Sequence, residues 1–518
     1  MLPRWTLVLA SLASLVAAAC SSSEPASPAS PASPAPPASA SPSGSCPSEG
    51  TTTCDGLAVK RCSLQATRLA WSPPVPCDDG AICKEEACRA LTPQEEGRAA
   101  GLAALLAESR TNGATARSID YEALGATLRE RLLLGDGSAH AYVQTLWTAM
   151  LALPQGHQHI APKDAASEAD LEAAGFNAGS VTRYSACLRP WGDHAVVTIA
   201  DPKSVLRRGD EVVAIDGKRG DDLRALLVSR PFGVDYLPPT DAGRVAFALR
   251  AFFSIDREGT KLTVRRGVGA AELEVTLPRA QASSAGYGCD DAFGRDYTKP
   301  AVATLLSDGT GVLYIPGFSQ TNLAAFESEV GPEFDKVKFA PRLVIDLRGN
   351  GGGLLKSALD LVSQLPAAEK KDYCEFWERE PGSSPASYDS AGRRAVDPAV
   401  VPQPPRFLYS GKVAVLIDGA THSAAEHFVL ATKSGARALI IGTRTAGAYG
   451  TITRDTPVSL PGSPTIELFI NRSQVRKPDG TVLDATSMEP DIEVGYDPLV
   501  LAKGDDPMLA RAVTELSK

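Results

Sequence analysis

The run Leu343-Val344-Ile345-Asp346-Leu347 is apolar at nearly every position and passes directly into Arg348-Gly349-Asn350-Gly351-Gly352-Gly353. A strand without polar alternation is one buried on both faces, which places it inside a layered α/β sheet. Glycines at its end let backbone N–H groups approach a ligand closely and point inward as an anion nest. The cluster is not a Walker-type phosphate loop, because no Gly-Lys-Ser/Thr follows. Around it, residues 311–315, 413–417 and 438–441 read as further strands, and 322–330 and 424–433 as helices. Residues 373–405, rich in Pro, Ser and charge, read as an insertion over the surface.

The N-terminus has another texture. Arg4 precedes an apolar run over 7–16, and Ala17-Ala18-Ala19 leads to Cys20. A charged start, a short apolar core and small residues before a cleavage point make a signal peptide over 1–19, too short for a comfortable transmembrane helix. A cysteine directly after the small residues resembles a bacterial lipoprotein box, which implies lipidation of Cys20 and a mature chain beginning there. Ordinary cleavage to a soluble periplasmic protein is the alternative. Residues 21–45 are almost entirely Ser, Pro and Ala, so they bury little and serve as an extended spacer after the anchor. The formal net charge of -9 gives no basic stripe for a nucleic-acid partner.

Next come Cys46, Cys54, Cys62, Cys77, Cys83 and Cys88, a density that in an exported chain points to a disulfide-stapled module over 46–91. Their pairing does not follow from spacing. A metal site is disfavoured, since the segment holds no histidine and no Cys-x-x-Cys. Cys187, Cys289 and Cys374 are scattered, and none sits in a nucleophile context. Leucines at helical spacing mark a helical domain over 92–176, its helices giving way to Pro154-Gln155-Gly156-His157-Gln158-His159. Short strands and turns follow over 177–282. There, Leu206-Arg207-Arg208-Gly209-Asp210-Glu211-Val212-Val213-Ala214-Ile215-Asp216-Gly217 resembles the signature of a PDZ domain, which implies a PDZ-like β domain that grips a peptide terminus by strand addition. A degenerate groove is the alternative. Residues 283–518 form the α/β domain.

A second chemical motif, Gly419-Ala420-Thr421-His422-Ser423-Ala424-Ala425-Glu426, lies between a buried strand and a helix. Ser423 at the helix start would expose its hydroxyl beside free N–H groups, a setting that stabilises a developing oxyanion. The competing reading is a serine that merely caps the helix. His427 lies four residues on, along the same helical face. His422 adjoins Ser423 but would face elsewhere on a helix. The plain readings are surface imidazoles for His422 and His159 and a packing role for His427.

Taken in order, the motifs D-L-R-G-N-G-G-G (346–353), S-A-A-E (423–426), I-I-G-T-R-T-A-G (440–447) and M-E-P-D-I-E-V (488–494) resemble peptidase family S41. That family contains carboxyl-terminal-processing and tail-specific proteases, the tricorn protease core and retinoid-binding repeats. The resemblance runs from about Pro93 to the C-terminus. It implies a multidomain α/β chain whose last domain has a ClpP/crotonase-like fold, a nucleophile at Ser423, and an oxyanion hole from the amides of Gly353 and Ala424. It implies no metal and no organic cofactor.

The processing proteases use a lysine base, and Ala448 stands at its position here. Arg444 keeps its proton, and Lys433, ten residues along the helix, is about 15 Å away by rise. The tricorn-like branch instead takes a histidine from the region before the PDZ-like domain. His157 matches it, although Gly156 stands where that branch has a serine. Asp484 matches the branch's late acidic residue, which orients the imidazole. His427 and His159 remain alternative bases, and Glu426 matches the family's helix glutamate in a supporting role. The expected function is an exported serine endopeptidase acting on unstructured polypeptides at the bacterial cell envelope. The alternative is a non-catalytic ligand- or peptide-binding lipoprotein on the same scaffold.

Overall fold

A computed structural model describes residues 19–20, 46–65, 68–77, 81–113, 119–153, 155–162, 171, 186–200, 204–229, 237–253, 258–278, 299–366, 373–379, 393–398, 405, 407–450, 457–458, 460–461 and 466–518. Most of the leader and all of the spacer, residues 1–18 and 21–45, lie outside the described residues, as does Cys289.

The centre is a sheet ordered Val302–Leu305, Thr310–Tyr314, Arg342–Asp346, Lys412–Ile417, Ala438–Gly442, Ile492–Glu493. The first pair is antiparallel and the others parallel. Both faces are covered. Leu343, Ile345, Val413 and Val415 pack with the helices Leu323–Val337, Leu355–Ser363 and Ala424–Gly435. The intervening Val344, Ala414 and Leu416 pack with Met508, Ala512 and Leu516 of the last helix, Pro507–Leu516. Period-two alternation between two apolar layers explains why these strands read as unbroken hydrophobic runs.

Two expectations need correction. The helix predicted over 322–330 runs as Leu323–Val337, straight through Pro332. Proline inside a helix forfeits a hydrogen bond, but Phe334 and Val337 beyond it bury into the core, and that burial offsets the loss. The segment 373–405 is also more than a surface insertion. Its strand Tyr373–Arg379 pairs with Arg393–Pro398 and with Gln474–Arg476, and it buries Cys374 and Phe376.

Helices Pro93–Asn112, Tyr121–Leu134 and Ala139–Ala152 pack together, started by Thr92, Asp120 and Ser138 as N-caps. The chain then departs from helix: His159–Pro162 is a strand paired with Ile466–Phe469 from the far end of the sequence. The next unit is an antiparallel sheet ordered Glu272–Thr276, Lys261–Arg265, Glu211–Ile215, His194–Ala200, Ala186–Trp191, with helices Gly220–Ser229 and Asp241–Arg250. The N-terminal module is closed by disulfides Cys46–Cys62, Cys54–Cys83 and Cys77–Cys88. Cys187 is disulfide-bonded as well. Among the described residues no helix is long and apolar enough to cross a membrane.

Candidate active site

Strands Arg342–Asp346 and Lys412–Ile417 run parallel, with Asp346 opposite Leu416, so their C-terminal loops emerge side by side. Ligand sites in open α/β sheets lie outside such strand ends. The glycine loop leaves the first strand and the turn carrying Ser423 leaves the second. They are joined by the amide of His422, which donates to the carbonyl of Asn350 at 3.1 Å. Gly352 presses so closely on the turn that a Cβ there would lie 2.5 Å from Ser423 Cβ and 2.8 Å from Ala424 N. The glycine is required by that approach as well as by its φ of +83°.

Ser423 begins the helix Ala424–Gly435 with φ 57° and ψ -129°, a conformation that costs a non-glycine residue about 1–3 kcal/mol. Its side chain makes no capping hydrogen bond, which removes the plain cap reading. The hydroxyl stays half-buried at a helix N-terminus. The amide of Gly352 is taken by Asn350 Oδ1 at 2.8 Å. The amides of Gly353 and Ala424 have no protein acceptor among the described residues. Two free donors therefore sit on either side of the contact between Gly352 and Ser423.

A strap over residues 445–450 closes the back of the turn. Ala448 O accepts from Ser423 N at 3.0 Å. Glu426, wholly buried, accepts from the Thr445 hydroxyl and from the amides of Gly447 and Ala448, each of the latter at 2.7 Å. Burial pushes its carboxyl up to about 8 against the pull of those three donors. Asp484, also buried, accepts from Gly450 N at 2.9 Å and Val475 N at 3.2 Å, and burial pushes it up to about 7. Both acids thus hold amides of the strap, and Asp484 ties it to Val475.

The histidines separate clearly. His427 Nε2 donates to Tyr449 O at 2.9 Å, and its Nδ1 faces Cys374 Sγ at 3.6 Å. Neither nitrogen is left for Ser423, and burial lowers this imidazole to about 4. The packing reading of His427 describes it. His159 is stacked on Phe469 with ring centroids 4.5 Å apart, on the strand that pairs with Ile466–Phe469. His422 is no surface residue: it is 4% exposed, its Nδ1 donates to Ala420 O at 3.0 Å, and its ring meets Phe247 edge-on at 4.9 Å. It is buried because Ser423 starts the helix, so His422 belongs to the preceding turn and points into the junction between units.

His157 is buried as well, with φ 62° and its ring centroid 6.4 Å from that of His422. Burial first, then the neighbouring imidazoles His422, His427 and His159, hold it well below the usual imidazole range. The preceding Gly156 lies against the strap. A Cβ there would be 3.1 Å from Ala448 Cα, 3.2 Å from Ala448 Cβ and 3.4 Å from Asp484 Oδ1. Gly156 and Ala448, far apart in the sequence, therefore meet in one contact. The turn is fixed by Gln158, whose Nε2 donates to Met150 O at 2.7 Å and Leu153 O at 3.0 Å. So the strap borders Ser423, Glu426, Asp484 and the turn of His157, while His427 is committed to Tyr449 O and Cys374 and His159 to Phe469.

Sequence reasoning missed the cross-links between the two loops, made by the Asn350 carbonyl and by the side chains of Asp418 and Thr421. Their only signal was polar residues at the mouths of two apolar strands. Among the described residues no group of acidic, histidine or cysteine side chains could hold a metal ion.

Residues 309–494 match the model of peptidase family S41. Among curated proteins, the chain is similar to the chloroplastic carboxyl-terminal-processing peptidase 3 of Arabidopsis thaliana, 25% identical over 299 residues, covering 56% of this chain and 47% of that one. The chain thus spans about half the length of that relative. Among solved structures, mature CPAF complexed with lactacystin superposes with a TM-score of 0.57 at 16% identity, covering 82% of this chain and 98% of the other. Mature CPAF alone gives 0.58 at 17%, covering 82% and 97%. These structures share the fold.

Proposed function

We propose that the chain, whose residues 309–494 match the model of peptidase family S41, is a serine endopeptidase using Ser423 as nucleophile and His157 as base. The observation that carries this reading is Ser423 itself. It is strained, uncapped, and pressed against a glycine loop whose next amide is free. Strain of this kind persists only where the surroundings over-determine it, and such places are concentrated at functional sites.

In the proposed reaction, Ser423 Oγ attacks the scissile carbonyl carbon while its proton passes to His157. The carbonyl electron pair moves to oxygen and is met by the amides of Gly353 and Ala424. Collapse breaks the C–N bond, and His157 returns the proton to the leaving amine. Water, activated by the same imidazole, then hydrolyses the acyl-enzyme. Burial keeps the His157 imidazole neutral, the form that can act as a base. Asp484 and Glu426 act through the strap, holding the surface on which Gly156 and the Ser423 amide rest.

The antiparallel sheet of residues 186–276 is read as the PDZ-like unit that presents an unfolded polypeptide to the site, through strand addition. Export and lipidation at Cys20 remain part of the proposal. The three disulfides of the N-terminal module support export.

The test is cleavage of unfolded casein by the body lacking its anchor, beside Ser423→Ala and His157→Ala. Wild type should cut and both variants should be inert. Equal inertness of all three, with no fluorophosphonate on Ser423, would favour the binding-lipoprotein reading.

A further inference from the structure

Two amides from two different strands must converge on one oxyanion in the reaction proposed above. Gly353 follows the strand Arg342–Asp346, and Ala424 follows Lys412–Ile417. The ladder between those strands continues one step, Leu347 N donating to Leu416 O at 3.0 Å, and then regular pairing ends. Past that point one main-chain bond, from His422 N to Asn350 O at 3.1 Å, and a set of side-chain bonds hold the loops together.

Asp418 is the centre of the side-chain bonds. Its Oδ1 accepts from Gly349 N of the glycine loop at 2.9 Å and from Ala420 N of its own turn at 3.0 Å. The Thr421 hydroxyl lies 3.2 Å from the same oxygen and 2.9 Å from Leu347 O, sharing one proton between them. The Asp418 amide donates back to that hydroxyl at 3.0 Å. Oδ2 faces Arg189 Nη1 at 3.7 Å, reaching in from the strand Ala186–Trp191. Asp418 is 5% exposed and Thr421 fully buried, so no water competes for these bonds. A carboxylate suits the position because only an acceptor with several lone-pair sites can meet donors from both loops at once.

We propose that Asp418 is a positioning residue that sets the register between the two halves of the oxyanion hole. It touches no reacting atom and acts through Gly349 and the turn before Ser423. The inference rests on the acyl-transfer reading, and it adds to that reading a residue which determines how well the tetrahedral intermediate is held.

A merely structural role would lower stability and leave intermediate binding untouched in the folded fraction. The readout is therefore a ratio. A peptidyl trifluoromethyl ketone, built on a sequence that wild type cleaves, adds Ser423 Oγ to its carbonyl carbon. The electron pair goes to oxygen and the serine proton to His157. The corresponding alcohol binds without forming that oxyanion. Asp418→Ala should reduce the ketone-to-alcohol affinity ratio about 10- to 100-fold, somewhat less than outright loss of an oxyanion donor. Asp418→Asn, which retains Oδ1 as acceptor, should rescue the ratio to within about threefold. If Asp418→Ala does not fold, Thr421→Val should lower the ratio about three- to tenfold by cutting the link to Leu347. An unchanged ratio in Asp418→Ala, or in Thr421→Val where that variant stands in, overturns the inference. Equal losses in the Ala and Asn variants overturn it too, because they would place the effect in the charge facing Arg189. A wild type that forms no ketone adduct would instead overturn the acyl-transfer reading on which this rests.

Discussion

Ser423 and His157 both have a positive φ, 57° and 62°, that side-chain-bearing residues rarely adopt, yet their turns are held by different means. The main-chain bonds that fix the serine turn lie within one domain. Its amide is bound by Ala448, its neighbour His422 by Asn350, and its carbonyl accepts from Glu426 N and His427 N. The histidine turn is fixed from several places at once. Gln158 ties it to the end of the helix Ala139–Ala152, its carbonyl accepts from Leu237 N at 2.8 Å, and Gly156 rests on the strap. A nucleophile set by main-chain bonds within one domain depends less on motion between units. A base assembled from three regions depends on how they dock.

That contrast orders the expected effects of substitution. Ser423→Ala should abolish turnover, a loss of about 10⁴-fold or more, measured as casein cleavage per folded molecule. Any cleavage above a few percent of wild type would break the comparison at its first member. His157→Ala should cost about 10²- to 10⁴-fold in kcat with KM little changed, as expected for a group acting in proton transfer. Gly352→Ala should cost about 10- to 100-fold in kcat, since its methyl must displace Ser423 Cβ, 2.5 Å away. Gln158→Ala removes two buried hydrogen bonds, so it should lower stability by about 1–3 kcal/mol, read from denaturant unfolding. It should also reduce kcat, because the base loses its tether. If stability falls while kcat holds, the histidine turn is fixed by something other than Gln158. His427→Phe should be the mildest, costing less than about tenfold in kcat through the loss of its bond to Tyr449 O. A larger loss would return His427 to the list of bases.

The pH profile sharpens the same comparison. The base works when neutral, and burial lowers its proton affinity in the folded state. As pH falls, kcat/KM should therefore persist below about 6.5, the ordinary imidazole value, before an acid limb sets in. A limb centred above that value would mean that the working base is not buried as His157 is.

Much of the α/β domain was legible because burial leaves a local trace. The apolar run 343–347 appears as Arg342–Asp346, and 413–417 as Lys412–Ile417. Ser423 was legible as the first residue before a helix, though a cap and a nucleophile share that position. What separates them is a backbone angle and a missing capping bond, neither of which has a pattern in sequence. The burial of His422 was missed for the same reason, since it follows from where the helix begins. The contact of Gly156 with Ala448 and the pairing of Tyr373–Arg379 with Gln474–Arg476 join residues far apart along the chain, and periodicity records only the burial of each residue. The helix through Pro332 shows tertiary burial overriding a local stop signal.

The account turns on an imidazole from the junction after the helical bundle serving a hydroxyl that the sheet domain holds ready. The direct measurement is the rate of fluorophosphonate modification of Ser423, localised by mass spectrometry, in wild type and in folded His157→Ala at neutral pH. At least about a 100-fold slower reaction in the variant is expected, still confined to Ser423. Equal rates in the two proteins would contradict the account, because the serine would then be activated without His157.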